Sequence, residues 1–130
     1  MTKDEIIKEV KFDSNGLVSV IAQDYHSKKV RMLAYMNKEA LEKTLETGQV
    51  DYYSRSRKEL WLKGDTSGYY QYLKGLSIDC DADALLLQIE QVGGIACHSG
   101  QSTWFYRDWT EDVSVTMNRS KVNGSTNMLT

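Results

Sequence analysis

Proline is absent from all 130 residues. The turns must therefore rest on Gly, Asn, Asp and Ser, which reach tight geometry through positive φ or short side-chain hydrogen bonds. Cysteine is nearly as scarce, with Cys80 and Cys97 the only two. Two thiols make no disulfide framework, and in a reducing compartment they serve as free thiols, metal ligands or nucleophiles. There are likewise only two histidines, His26 and His98. No apolar stretch approaches the ~20 residues of a membrane-spanning helix. An excess of one charge is missing too: 16 Lys+Arg face 18 Asp+Glu, a formal net charge of −2. Nothing global then favours nucleic acid or an anionic membrane, and an anionic substrate would need a local basic cluster. Residues 1–11 lack the basic start and apolar core of a signal peptide, so a cytoplasmic location is expected.

What is present suits one globular domain. Hydrophobic residues make up 41% and charged residues 26% of the chain, and its length is enough for a single core. The segment 4–10 reads as a short helix or an irregular arm. Leu17–Gln23 and Val30–Met36 have strand composition and suggest a hairpin. Asn37 can cap a helix whose inward face is Ala40, Leu41, Thr44 and Leu45, and Gly48 can end it. Val50–Ser54 and Leu60–Lys63 read as strands around a basic turn. Further strands are predicted at Tyr69–Leu73, Gly75–Ile78, Leu85–Gln91 and Thr103–Tyr106. The fold class is α+β, mostly antiparallel sheet with one main helix, over residues 1–117. Residues 118–130 have little to bury and read as a polar C-terminal tail.

The chemistry concentrates in Asp79–Tyr106. Both cysteines and His98 lie there, and Asp79, Asp81 and Asp83 fall at alternate positions. Thiolates suit zinc, whereas a carboxylate cluster suits magnesium, calcium or manganese. If the segment is extended, the aspartates line one face and Cys80 the other. An EF-hand loop also begins D-x-D-x-D and ends in Glu, here Glu90, but its sixth position needs Gly and holds Ala84. Upstream, Arg55, Arg57 and Lys63 lie near Thr66 and Ser67. Arginine forks and hydroxyls beside a glycine loop suit phosphate, although a charged turn can equally be mere solvated surface. His98, next to a candidate thiolate ligand, can transfer protons or bind metal; the alternative is an idle histidine. His26, in a polar loop, reads as surface.

Taken together, the stretches F-D-S-N-G-L-V-S-V-I-A-Q-D, M-L-A-Y-M-N-K-E-A-L, Y-S-R-S-R, L-W-L-K-G-D-T-S-G, D-C-D-A-D-A-L-L and A-C-H-S-G resemble the phosphoribosyl-AMP cyclohydrolase family of histidine biosynthesis. The resemblance runs over nearly all of Phe12–Arg107. It implies a zinc- and magnesium-dependent hydrolase that opens the adenine ring at N1–C6. It also implies an intertwined homodimer with zinc shared across the interface. Carried onto this chain, Cys80 and Cys97 would ligate zinc, Asp79, Asp81 and Asp83 would hold magnesium, and His98 would move a proton. Arg55, Arg57, Lys63, Thr66 and Ser67 would bind the phosphorylated nucleotide substrate. The family's third zinc cysteine belongs seven residues after Cys97, where this chain has Trp104. Indole nitrogen is only a donor and cannot ligate zinc. One extra residue, at the Gly93–Gly94 pair, also separates Cys80 from Cys97. Two other readings stay open: an altered or non-catalytic member that binds nucleotide without a complete zinc site, and a dimer linked through its thiols.

Overall fold

The computed structural model describes residues 1–111, so the predicted tail at 118–130 and the boundary at 117 lie outside the described residues. The elements are α1 (Lys3–Glu9), β1 (Val18–Asp24), β2 (Val30–Met36), α2 (Lys38–Thr47), β3 (Asp51–Ser54), β4 (Glu59–Leu62), β5 (Gln71–Ile78) and β6 (Ala84–Gln91), then a short 3-10 turn at Val92–Gly94. A four-stranded sheet has the order β2-β1-β6-β5, and β3 pairs with β4 in a separate hairpin. All pairings are antiparallel except β1 with β6, which is parallel. The α+β expectation therefore holds in its coarse form.

Local chemistry explains the elements. In β1, Val18, Val20, Ala22 and Asp24 face inward at every second residue, and β6 does the same with Leu85, Leu87, Ile89 and Gln91. This period of two buries one face of each strand. Asn37 caps α2 by accepting the Ala40 N–H at 2.8 Å, and Gly48 ends it at φ 80, a left-handed conformation that glycine adopts without steric cost. The segment left open at the N-terminus is helical, with Thr2 and Glu5 forming a reciprocal capping box. Ala40 and Leu41 of α2, with Val50 and Tyr52, join the sheet's inner face in one apolar cluster.

Two strand expectations need correction. Gln71–Leu73 and Gly75–Ile78 belong to one strand, β5, with a register shift between Leu73 and Gly75, while Tyr69 and Tyr70 precede it. Thr103–Tyr106 is not a strand. Its Trp104 N–H meets the Arg31 carbonyl at 2.7 Å on the free edge of β2, but Thr103 turns its hydroxyl onto the Val30 carbonyl and accepts the Phe105 N–H. Such side-chain bonds compete with a ladder.

A buried ion pair ties this end of the sheet together. Arg31 donates to Asp24 Oδ2 from Nη2 at 2.7 Å and from Nε at 3.3 Å. Its Nη1 reaches the carbonyls of Gly94 at 3.2 Å and Ser102 at 2.7 Å. Burial pushes the Asp24 carboxyl upward, but the Ser27 N–H, the Arg31 guanidinium and the His26 N–H outweigh it and set its pKa at about 2. That lies below the ~3.9 of an unfolded aspartate. The stability it contributes is present above ~pH 4 and is lost as pH falls towards about 2. Denaturant titrations across that window should show a steeper loss in the parent than in Asp24→Asn. Arg31→Met, which strands the buried carboxylate, should cost about 3 kcal/mol near neutral pH; equal midpoints for parent and variant would show that the pair is not stabilising.

Candidate active site

The D-C-D-A-D segment forms the turn between β5 and β6. It is not extended, because Ala82 takes φ 63 and the Asp79 N–H and Ala84 carbonyl close the turn at 3.1 Å. The alternate-face arrangement expected of a strand is therefore corrected. The turn nevertheless brings Asp79, Asp81 and Asp83 together, with carboxylate oxygens within 4.8 Å of one another and all exposed. Burial acts upward on Asp79, but hydrogen bonds from the Asp83 side chain and the Asp83, Ala84 and Ala82 amides hold it below its ordinary value. Sharing a proton with Asp79, and the negative charge beside it, hold Asp83 above its own. A hard divalent cation is the partner that relieves such crowding. The EF-hand alternative falls, since Ala84 begins β6 and Glu90 lies along that strand, 3.2 Å from His26.

Cys80 and Cys97 lie beyond opposite ends of β6. That strand is eight residues long, so its ends are about 23 Å apart at strand rise. Cys97 sits in a loop where the Ala96 and Cys97 N–H groups both donate to the Gln101 carbonyl. Arg31 holds the loop at Gly94 and Ser102. The Ser99 hydroxyl is 3.1 Å from Cys97 Sγ. Hydrogen bonds from the Ser99 side chain and backbone hold the Cys97 thiol below its usual pKa; burial opposes them, and the Lys63 charge adds to the lowering. Trp104 spends its indole N–H on the Ala96 carbonyl at 3.1 Å. Lys63 Nζ donates to the same oxygen. Among the described residues no group of three His, Cys, Asp or Glu ligands forms around either cysteine, and both thiols are free. The three-cysteine zinc set implied by the resemblance does not fit this chain, whereas the carboxylate cluster fits magnesium.

Two hollows meet beside this loop. A groove of about 890 Å³ is lined by Tyr35, Arg55, Arg57, Trp61, His98 and Trp104, among others. A smaller cavity of about 540 Å³ is lined by Trp61, Lys63, Thr66, Ser67, Cys97 and His98, among others. Trp61 and His98 border both. The expected single basic cluster is thus divided. Arg55 and Arg57 stand exposed on the β3–β4 turn, with Arg55 4.0 Å over the Tyr35 ring. Lys63 is only 7% exposed and lies over Trp61 at 5.5 Å and Trp104 at 5.8 Å. Burial pulls its pKa down. Cys80 and the three aspartates border neither hollow.

Sequence reasoning missed the indole pair and the ion pair. Trp61 and Trp104 stack at 6.2 Å with an interplanar angle of 17°. The L-W-L-K-G stretch was a signal for Trp61. For Arg31, the signal was a lone charge within the apolar run V-R-M-L-A.

Comparison with known proteins bears on these hollows. The family model described as phosphoribosyl-AMP cyclohydrolase matches residues 32–106. The phosphoribosyl-AMP cyclohydrolase of Chloroherpeton thalassium is 58% identical over 105 residues, covering 81% of this chain and 74% of that protein. The enzyme of the same name from Neisseria meningitidis is 53% identical over 104 residues, 80% of this chain and 79% of the relative. The histidine biosynthesis bifunctional protein HisIE of Thermoanaerobacter pseudethanolicus is 56% identical over 105 residues, 81% of this chain and 48% of its own length. The chain therefore spans about half the length of the bifunctional relatives it matches.

The Cys97 environment makes a direct prediction. In chelator-treated protein, its alkylation rate should rise through a midpoint below the ~8.5 of an ordinary cysteine. Ser99→Ala should move that midpoint upward, as followed by mass spectrometry of the Cys97 peptide over a pH series. An unchanged midpoint would show that the Ser99 hydroxyl does not stabilise the thiolate.

Proposed function

The chain belongs to the phosphoribosyl-AMP cyclohydrolase family, and from that premise we propose that it opens the adenine ring of phosphoribosyl-AMP in histidine biosynthesis. The observation that carries the reading is the convergence of Arg55, Arg57 and His98 on one groove beside Trp61. Arginine forks bind phosphate through charge-assisted hydrogen bonds, and indole presents a flat face to a purine. In the reaction the oxygen of water bonds to C6, the C6–N1 bond breaks, and N1 takes the proton. The exocyclic nitrogen stays on C6, which remains bonded to the imidazole ring as a carboxamide carbon. Ribosylation at N1 draws electrons from the ring and opens C6 to attack. His98, which lines the groove, would move the proton, because imidazole both accepts and donates near neutral pH. Arg55 and Arg57, with Lys63, Thr66 and Ser67, bind and orient the phosphates.

Asp79, Asp81 and Asp83 would hold magnesium, which supplies charge that neutralises and orients phosphate oxygens when bound. The active unit in this reading is a homodimer. The separation of Cys80 from Cys97 along β6 supports it, as does the outer sheet face, where Val30 and Leu33 are exposed. Zinc, if shared across that interface, would draw Cys80 from one copy and Cys97 from the other, with His98, water or another group completing its sphere. Free thiols fit a cytoplasmic location, and no helix among the described residues is long and apolar enough to cross a membrane.

Loss of the adenine chromophore on mixing with phosphoribosyl-AMP tests the activity. Turnover is expected in the presence of magnesium. Nucleotide binding without turnover under any metal would instead favour the altered-member reading that Trp104 motivates. Asp81→Asn should weaken magnesium binding by about tenfold or more, because affinity follows ligand charge, and should lower turnover with it while the melting temperature holds. An unchanged magnesium requirement would remove these carboxylates from the site.

Trp104 yields a separate outcome. With two thiolates available, zinc should be retained weakly under dialysis against a graded chelator. Trp104→Cys should retain it more tightly, since structural zinc sites close with four protein ligands. Equal zinc loss from both proteins would show that position 104 does not face the metal.

A further inference from the structure

Three polar side chains that the proposed reaction does not use cross the core towards the smaller cavity. Tyr52 and Gln71 are wholly buried and Gln91 is 7% exposed. The Tyr52 hydroxyl donates to Gln71 Oε1 at 2.6 Å. Gln71 Nε2 donates to Gln91 Oε1 at 2.9 Å and to Met32 Sδ at 3.3 Å. Gln91 Nε2 ends the series on two backbone carbonyls, Tyr69 at 3.0 Å and Tyr70 at 3.3 Å. That end sets the polarity of the whole series. Carbonyls only accept, so Gln91 turns its amide nitrogen to them and its oxygen to Gln71. Gln71 is oriented in the same sense, which leaves its oxygen for the Tyr52 O–H. Burial pushes the Tyr52 pKa upward, which keeps the phenol a donor.

Both ends of the series meet the walls of the site. Tyr52 pairs with Trp61 across the β3–β4 hairpin, with ring centroids 5.4 Å apart, and Trp61 borders both hollows. At the other end Tyr69 lines the smaller cavity. Tyr69 and Tyr70 precede β5 and lie outside its ladder. The Tyr70 carbonyl also accepts the Val92 N–H at 2.9 Å. Gly64 packs directly against this segment: a Cβ there would stand 2.5 Å from the Tyr70 nitrogen and 2.6 Å from the Tyr69 carbonyl carbon. Gly64 opens the turn that presents Asp65, Thr66 and Ser67 to the same cavity. Polar groups buried in this way contribute a defined geometry when every member is satisfied.

We infer that Tyr52, Gln71 and Gln91 form a positioning relay, which fixes the Tyr69–Tyr70 segment, and with it the turn opened by Gly64, relative to the Trp61 wall. None of the three borders either hollow. They act through Trp61 at one end and through the Tyr69–Tyr70 backbone at the other. The effect on ring opening rests on the function proposed above. The effect on the turn rests on the hydrogen bonds alone.

Two measurements on the full chain test the relay. Gln91→Met keeps the length of the side chain and removes its amide. Amide hydrogen exchange of the peptide spanning residues 64–70 should then accelerate by about tenfold, as a locally released segment does. The Asp65 and Gly68 N–H groups, bonded to the Leu62 and Gly64 carbonyls, report that release. Amides of α2 should keep the parent's rate. With phosphoribosyl-AMP, KM should rise by about fivefold while kcat stays within about twofold, the pattern of a binding wall out of place. Tyr52→Phe keeps the ring beside Trp61 and should give the same pattern at smaller size; if Gln91→Met fails to fold, this variant decides. Unchanged exchange of the turn, equal acceleration in the turn and α2, or a faster turn with unchanged KM would overturn the relay. Turnover by the parent with an unmoved turn in the variants removes the relay and leaves the enzyme reading. A released turn in a parent chain without turnover does the reverse.

Discussion

Strand β6 is the constraint on which the rest depends. It is hydrogen-bonded along both edges, parallel to β1 and antiparallel to β5. Its inward residues Leu85, Leu87 and Ile89 are almost wholly buried. Slipping it by one residue would turn that apolar set outward, so its register is firmly specified. Both chemical segments hang from this one fixed strand. The carboxylate turn leads into it, and the loop with Cys97 and His98 leaves it. They are held apart by the same hydrogen bonds that hold the sheet together. A metal that used ligands from both ends would have to draw on two chains.

The loop beyond β6 has little regular structure of its own, and its position comes from Arg31. One guanidinium meets a buried carboxylate and two loop carbonyls, while its own backbone carbonyl receives the Trp104 N–H. A buried ion pair is uncertain as a source of net stability, but removing one partner leaves an uncompensated charge. Here the pair also sets geometry, because the carbonyls it holds lie on either side of Cys97 and His98. Stability at the sheet end and placement of the loop are therefore linked through one side chain.

Much of this was legible in the sequence where a local rule dominated. Asn37 and Gly48 mark both ends of α2, and period-two burial marks β1 and β6, because caps and alternation are decided within a few residues. The aspartates were legible as a cluster but not as a turn. D-x-D-x-D gives the same alternation whether it lies in a strand or folds back, and the positive φ of Ala82 has no side-chain signal. Thr103–Tyr106 has strand composition, but a strand needs a partner ladder, and the Thr103 side chain takes the bonds that a ladder would use. The basic residues read as one cluster because Arg55, Arg57 and Lys63 are close in sequence. A hairpin lies between them, and its strand turns nearness along the chain into distance in space.

Trp104 shows why a single position in this site is not replaced in isolation. The Ala96 carbonyl accepts from both the indole N–H and the Lys63 ammonium, and the ring rests beside Trp61. A small residue at 104 would remove one donor from that carbonyl and one aromatic neighbour from Lys63. The ammonium would then stand in a wider, wetter space, where burial lowers its pKa less. The corner that in the family resemblance belongs to a metal ligand is, in this chain, part of the wall that keeps Lys63 desolvated. A side chain at 104 that closes this wall with an indole cannot at the same time ligate a metal.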